Sequence, residues 1–245
     1  TPTIFGAMDV AKVVNYYEWL DIENKYGSKW YPVGDEVSSA LAVDRTDELR
    51  VAQVYMDTGT LRRSGASEID FIKKLFDRTG DMFNAVQFDM LSWDKEGKTE
   101  LFEYIKTQRP GMEIFLQARA EQMRVHGTEE LVRRLTWYSP PGPKLVDRVL
   151  FDASHGTGKR LNVRELEYFL REAQRKTNLG IGIAGGLNEA VVLEDLPTLL
   201  KYYPKVSFDA EGQLHKNPDG SVGLNMQATE AYLRAVAEVL KTSES

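Results

Sequence analysis

Two glycine-bearing loops, each downstream of an apolar run, have the composition of an anion-binding site. One contains Gly156, Thr157 and Gly158, and the other contains Gly185 and Gly186. Residues without a β-carbon let main-chain N–H groups approach a phosphate, and the amino end of a following helix adds a favourable dipole. Glycine also forms tight turns between strand and helix. The occurrence of two such loops one βα unit apart is what favours a phosphate-binding site at these five residues.

Aspartates follow several of the apolar runs at the point where each run ends: Asp9, Asp57, Asp89, Asp152 and Asp209. Carboxylates that converge at one edge of a sheet supply the general acid and base of a proton transfer, whereas a single aspartate more often caps a helix or turn. Asp152 stands directly before a glycine loop that a substrate would reach. We therefore expect Asp152 to be functional and Asp209 to bind substrate, whereas a helix or turn cap is the alternative for Asp9 and Asp57.

Three further polar residues alternate with apolar neighbours near the predicted strand ends: Gln87, Gln117 and Arg119. Alternation places such side chains on one face of a strand. We expect Gln87 and Arg119 to contact substrate, with the guanidinium of Arg119 available to an anionic group. A surface ion pair is the alternative for Arg119.

The three histidines lie in different predicted loops and form no recognisable metal signature. A divalent cation held by the carboxylates of Asp57, Asp89 or Asp209 is the alternative, because oxygen ligands suit such ions. The leading expectation is that the protein uses neither a metal nor an organic cofactor.

The elements that must position these residues are short β-rich runs that alternate with amphipathic stretches from Leu49 onward, the pattern of βα units around a parallel sheet. A Ser-x-x-Asp signal at Ser67 predicts a helix over Ser67–Thr79 that stops at Gly80, and Asn162 predicts another helix start. A third helix is predicted from Asn225 through Leu240. The predicted strands are Leu49–Met56, Phe83–Asp89, Met112–Ala118, Arg148–Ala153, Gly180–Ala184 and Lys205–Asp209.

The fold that accommodates this order is an α/β (βα)8 TIM barrel. The chain has 245 residues, close to the roughly 250 typical of one barrel, so we expect a single domain over residues 1–245. Pro2–Met8 is predicted as the first strand and Asp9–Tyr26 as the first helix. Between Gly27 and Glu48 only Ala40–Val43 has a strand pattern, which predicts an irregular second βα unit.

Composition excludes several classes of function. The absence of cysteine rules out disulfides, thiolate zinc sites and thiol nucleophiles. A net charge of −6 with scattered basic residues argues against nucleic-acid binding. No apolar run approaches the length of a membrane span, and no signal-peptide pattern is visible. We expect a cytoplasmic monomer or homodimer whose partner is a small anionic substrate.

The second half of the chain resembles the phosphoribosylanthranilate isomerase family, the (βα)8 enzymes of tryptophan biosynthesis. Asp152 with His155-Gly-Thr-Gly158 is similar to the family's sixth strand and loop, and Ala184-Gly-Gly-Leu187 is identical to its seventh-strand ending. Asp209-Ala-Glu-Gly212 partly matches the eighth, and Gln87 resembles the glutamine of the fourth-strand motif. The resemblance implies an aldose–ketose (Amadori-type) isomerase that acts on a phosphorylated sugar, with Asp152 as general acid.

The chain departs from the family pattern at two positions. Phe5 stands where the family has its first-strand cysteine, the general base, and Glu211 stands where the family has a small hydroxyl residue near the phosphate. A base supplied by Asp9 or Asp57, as in the related histidine-pathway sugar isomerase, would restore the acid/base pair. Two alternatives follow from the departures: a non-catalytic barrel that binds a metabolite or a partner protein, and a carboxylate-dependent divalent-metal enzyme.

Overall fold

A computed structural model describes residues 51–56, 65–81, 83–89, 91–93, 95–153, 162–210, 212–214, 216–220 and 225–243. Within these ranges strands and helices alternate along the chain. The strands are β1 Val51–Tyr55, β2 Ala85–Asp89, β3 Glu113–Arg119, β4 Arg148–Asp152, β5 Gly180–Ala184 and β6 Ser207–Asp209. The helices are α1 Glu68–Thr79, α2 Lys95–Gln108, α3 Ala120–Tyr138, α4 Val163–Lys176, α5 Glu189–Tyr202 and α6 Met226–Ser243. All six strands predicted after Leu49 are confirmed, within a few residues at each end.

The strands form a sheet in the order β1-β2-β3-β4-β5-β6, so that sheet order follows chain order. Strand β1 pairs with β2, β2 with β3, and β5 with β6, each in the parallel direction. Parallel neighbours joined through helices are the arrangement that βα units produce. The chain therefore has an α/β fold with a parallel sheet. The predicted elements between residues 1 and 50, including the irregular second βα unit, lie outside the described residues.

Side-chain caps fix the starts of three helices, and two of the caps, Ser67 and Asn162, are at positions that the sequence indicated. The Ser67 Oγ accepts a hydrogen bond from the Asp70 N–H at 3.0 Å, and the Asp70 carboxylate accepts one from the Ser67 N–H at 3.4 Å. Asn162 caps α4 by accepting from the Glu165 N–H, and Asn188 caps α5 by accepting from the Val191 N–H. Each cap satisfies an N–H that the first turn of a helix leaves without a partner.

The described residues group into two compact units. The first unit comprises those up to residue 117 together with 133–149, and the second comprises 118–132 and those from 150 onward. In the first unit the Phe88 ring lies 5.9 Å from that of Phe102 on α2, which meets Tyr138 edge-on at 5.3 Å. In the second unit the Phe151 ring lies 6.0 Å from that of Phe169 on α4. One face of each strand set thus packs against helices. The single domain over 1–245 stays a prediction.

None of the described helices combines the length and apolarity needed to cross a membrane.

Candidate functional site

The face of the first unit's strands that points away from the helices carries polar side chains. Phe88 packs on α2, so its neighbours along β2 in both directions, Gln87 and Asp89, point to the opposite face. Register then puts Gln53 of β1 directly opposite Gln87. The interiors of parallel sheets are normally apolar on both faces. Buried polar groups at the carboxyl ends of β2 and β3 therefore mark a candidate site.

Gln87 and Gln117 are joined across that face. The Gln87 Nε2 donates a hydrogen bond to the Gln117 Oε1 at 3.0 Å. Gln87 is paired in register with Phe115, so Gln117 is its diagonal neighbour on β3, within reach of a long side chain. Gln87, Asp89 and Gln117 are all buried. Gln87 and Gln117, both noted in the sequence, are thus neighbours in the structure. The hydrogen bond between them was not predicted from sequence.

The amino end of the same face is closed by a paired cation. The Arg148 Nε lies 2.8 Å from the Glu113 Oε2, and its guanidinium lies 5.5 Å from the centre of the Phe115 ring. A buried apolar cluster lies beside this ion pair on the same face and consists of Val51, Ala85 and Phe115. The charges of Arg148 and Glu113 are therefore paired with each other, and apolar side chains fill the space beside them. The other polar side chains of this face, Gln87, Asp89 and Gln117, lie further toward the carboxyl ends of the strands.

In the second unit, close packing around Gly182 identifies which side chains share a face. A β-carbon on Gly182 would lie 2.7 Å from the Leu150 Cδ1 and 3.1 Å from the Ser207 Oγ. Positions 150, 182 and 207 therefore point to one side of the sheet, and two residues further along each strand the same side carries positions 152, 184 and 209. Ala184 is paired in register with Asp209. Asp152 and Asp209 thus flank the small side chain of Ala184.

The spacing of these two carboxylates suits a shared small substrate. They stand on strands two apart, which places their Cα atoms roughly 10 Å from each other at the usual strand separation. Asp152 is 7% exposed and Asp209 is partly buried. A substrate carbon chain that lay over the Ala184 methyl would reach both carboxylates.

The Gly185–Gly186 turn directly follows Ala184. Both glycines have positive φ, 113° and 65°, a backbone conformation that other residues rarely adopt. The turn leads through Asn188 into the amino end of α5. This is the arrangement expected of an anion site, although Glu189 in the first turn places a negative charge at the same helix end. The same two positive φ values also suffice for a tight strand-to-helix turn.

Arg119 is the last residue of β3, half-buried, and its main-chain N–H donates to the Gln122 Oε1 at 3.0 Å. Alternation along β3 puts its side chain on the same face as that of Gln117. Five predicted site residues lie outside the described part of the chain: Asp9, Asp57, Gly156, Thr157 and Gly158. Phe5 and Glu211 also lie outside it.

Among the described residues, no group of three or more histidine, aspartate or glutamate side chains is placed to hold a metal ion. The structure also reveals three polar residues on this face that were not predicted from sequence: Gln53 and the paired Glu113 and Arg148. A glutamine between Ala52 and Val54 in an apolar run was a usable signal for the first. The ion pair joins residues of different strands, so sequence spacing gave no indication of it.

No family model matches the sequence, and no curated protein shows significant similarity to it. Solved structures are similar in fold. TrpF from Jonesia denitrificans superposes with a TM-score of 0.53 at 13% identity, over 92% of this chain and 91% of that chain. Tryptophan synthase subunit alpha from Legionella pneumophila superposes with a TM-score of 0.53 at 10% identity, over 85% of this chain and 70% of that chain. At such identity the likeness shows a shared fold and no more.

Proposed function

We propose that this chain is a (βα)8 enzyme that isomerises a phosphorylated sugar, or a related small anion, by aldose–ketose chemistry. The observation that carries the proposal is the position of Asp152, a buried carboxyl at the end of β4, beside β5 and the Gly185–Gly186 turn that leads into a capped helix. The likeness in fold to TrpF and the resemblance of the second-half motifs to phosphoribosylanthranilate isomerases support it.

The proposed reaction moves protons between neighbouring atoms of one sugar. Asp152 donates a proton to the ring oxygen as the bond from C1 to that oxygen breaks, and a base removes the proton from C2 to give the enol. The protonated base then returns its proton to C1 while the enol O–H proton on C2 passes back to Asp152, which gives the ketose and restores both groups. Asp9 and Asp57 are candidates for the base from sequence. Asp209 is a third candidate because it shares a face with Asp152 across Ala184. General acid–base groups of this kind contribute about 10²–10⁴-fold to rate.

In this proposal the anionic end of the substrate is bound by main-chain N–H groups of the Gly185–Gly186 turn and the amino end of α5. Gly156, Thr157 and Gly158 form the second half of the phosphate site, as the sequence predicts. Backbone donors of this type hold a phosphate without requiring a basic side chain.

A non-catalytic metabolite-binding protein is the competing function, and Phe5 favours it. A phenylalanine at the position of the family's cysteine base accepts no proton. If no carboxylate takes over the role of that base, the protein would bind the ligand without turning it over. A binder needs the anion site but not a second ionisable group near Asp152.

The test compares turnover and binding in one set of variants. Asp152→Asn and Asp209→Asn are assayed for conversion of aldose phosphates, and Asp77→Asn on the exposed surface of α1 is the matched control. We expect the Asp152 variant to lose at least a hundredfold in kcat with phosphate binding retained. If the native protein turns over an aldose phosphate and both Asp152→Asn and Asp209→Asn keep the native kcat, the roles proposed for these two aspartates would be excluded. Phosphate binding without turnover in the native protein would favour the binder.

The anion site is tested by calorimetric titration with inorganic phosphate. Gly185→Ala introduces a side chain at a positive φ in the proposed site, and Gly220→Ala does so at φ 72° in a loop with open space around it. Weaker phosphate binding in the first variant alone supports the site. Equal binding in both variants would place the anion elsewhere.

A further inference from the structure

The side-chain amide of Gln87 is buried with one of its two polar atoms unpaired. Gln87 is fully buried, and its Nε2 donates to the Gln117 Oε1. Within the described residues the Gln87 Oε1 has no hydrogen-bond partner. Native proteins rarely leave a buried carbonyl oxygen without a donor, since its lost hydration is not replaced. Such an oxygen, in the middle of β2 and two residues before the strand's carboxyl end, is where a ligand would be recognised.

The partnership with Gln117 determines what Gln87 offers to that ligand. An amide presents both a donor and an acceptor, and rotation of its terminal group exchanges them. Here the donor is directed to the Gln117 Oε1, so the acceptor is the atom left to a ligand. The group that completes the site must therefore carry an O–H or N–H.

The surroundings of Gln87 indicate the class of that donor. Gln53 lies directly opposite on β1, and Asp89 lies two residues along β2 on the same face. A carboxylate nearby disfavours a phosphate or carboxyl group at this position. Burial of an ammonium would require removal of its hydration at greater free-energy cost than burial of a hydroxyl. A neutral hydroxyl group meets both conditions.

We infer that Gln87 recognises a hydroxyl group of a small polyol through its Oε1, and that Gln117 is a positioning residue that fixes the orientation of the Gln87 amide. Gln117 and Asp89 keep slight exposure, 6% and 8%, so the ligand approaches from the carboxyl end of β2 and β3. The inference deepens the proposed function, on which it rests for the class of ligand, because it names the atom of Gln87 and the uncharged group that it recognises. It holds or fails independently of acid/base chemistry at Asp152.

The test follows the Gln87 side-chain NH₂ resonance by ¹⁵N NMR during titration with ribitol, a neutral polyol. The resonance is assigned by its absence in Gln87→Met. We expect ribitol to shift it in the native protein, and Gln87→Met to weaken ribitol binding about tenfold, the effect of one lost hydrogen bond. Gln117→Met should weaken binding similarly because the Gln87 amide is then free to rotate. Gln117→Glu keeps an acceptor oxygen in either protonation state and should restore binding.

Measurements of Tm distinguish loss of ribitol binding from loss of folding in the Gln87 and Gln117 variants. The double variant Gln87→Met/Gln117→Met replaces both amides by apolar groups of similar shape, and its Tm should equal or exceed that of either single variant. A native protein that ribitol does not bind, or variants that bind it unchanged, would overturn the inference. Ethylamine carries an ammonium group and no hydroxyl, so displacement of ribitol by ethylamine with the same dependence on Gln87 would overturn the assignment to a hydroxyl. Inorganic phosphate is run in parallel, so that failure here is distinguished from failure of the anion site.

Discussion

The Leu150 Cδ1 lies 2.7 Å from the position that a β-carbon on Gly182 would occupy. Leu150 is almost fully buried, so its δ-methyl has little room to move away. Glycine at position 182 is therefore required by the close approach of β4, and the same contact aligns Asp152 with Ala184 further along the two strands.

Gly182→Ala should lower the free energy of unfolding by about 1–3 kcal/mol, the usual effect of one extra carbon in a filled core. Leu150→Val in the same chain should recover part of the loss, because it removes a methylene near the clash. Urea denaturation of the two single variants and the double variant measures the coupling. Strictly additive effects would mean that these side chains do not share a face.

Glu189→Gln should increase the affinity for inorganic phosphate two- to fivefold at low salt. The substitution removes a negative charge from the first turn of α5, and a charge at a helix end is worth about 0.3–1 kcal/mol there. Calorimetric titration at low and at high ionic strength checks the result, since the gain should shrink as salt screens it. Glu194→Gln, one turn further along α5, is the control. An equal gain in both variants would indicate a general charge effect.

Asp70→Asn should destabilise the protein at neutral pH and matter less in acid. The hydrogen bond from Ser67 holds the pKa of the Asp70 carboxyl below its ordinary value of 3.8. A lowered folded-state pKa stabilises the native state above the unfolded pKa, and this contribution disappears as pH falls through the folded pKa. The difference in Tm between the native protein and the variant should thus be constant near pH 7 and narrow below about pH 4.

Asp77→Asn on the same helix is the control for Asp70→Asn. Asp77 is exposed near the carboxyl end of α1, where a negative charge is unfavourable, so this variant should be neutral or slightly stabilised. A pH-independent difference for Asp70→Asn would show that its effect comes from another source than the capping box.

Asp147→Ala should cost more stability than Lys106→Met. The Asp147 carboxylate accepts hydrogen bonds from the Lys106 Nζ at 2.6 Å and from the Ile114 N–H at 2.8 Å. Its loss leaves a strand amide of β3 without that acceptor, at a cost of about 1–3 kcal/mol. Loss of the lysine removes a partly exposed ion pair, worth about 0–1 kcal/mol, and one hydrogen bond to the Met112 carbonyl, but it keeps the Asp147 carboxylate on the Ile114 amide. Chemical denaturation of both variants gives the comparison, and equal costs would contradict the role assigned to the main-chain contact.

The sequence by itself determined the order of the described strands, their bounds to within a few residues, and the starts of α1, α4 and α6. Ser67, Asn162 and Gly80 mark helix ends through local hydrogen bonds and backbone conformation, which depend on neighbours in the chain. Alternating and continuous apolar runs predicted β1 to β6, because these patterns are likewise formed by residues that are neighbours in the chain. The aspartates at strand ends followed directly, because parallel strands bring their carboxyl ends to one edge.

Only the tertiary structure decided which side chains share a face and which polar atoms remain unpaired. Strand register sets both, and register depends on packing between strands that are far apart in the chain, such as the contact of Leu150 with Gly182. The bond between Gln87 and Gln117 spans thirty residues. No spacing within either strand could have revealed it, because the energy of that bond arises only once β2 and β3 lie side by side.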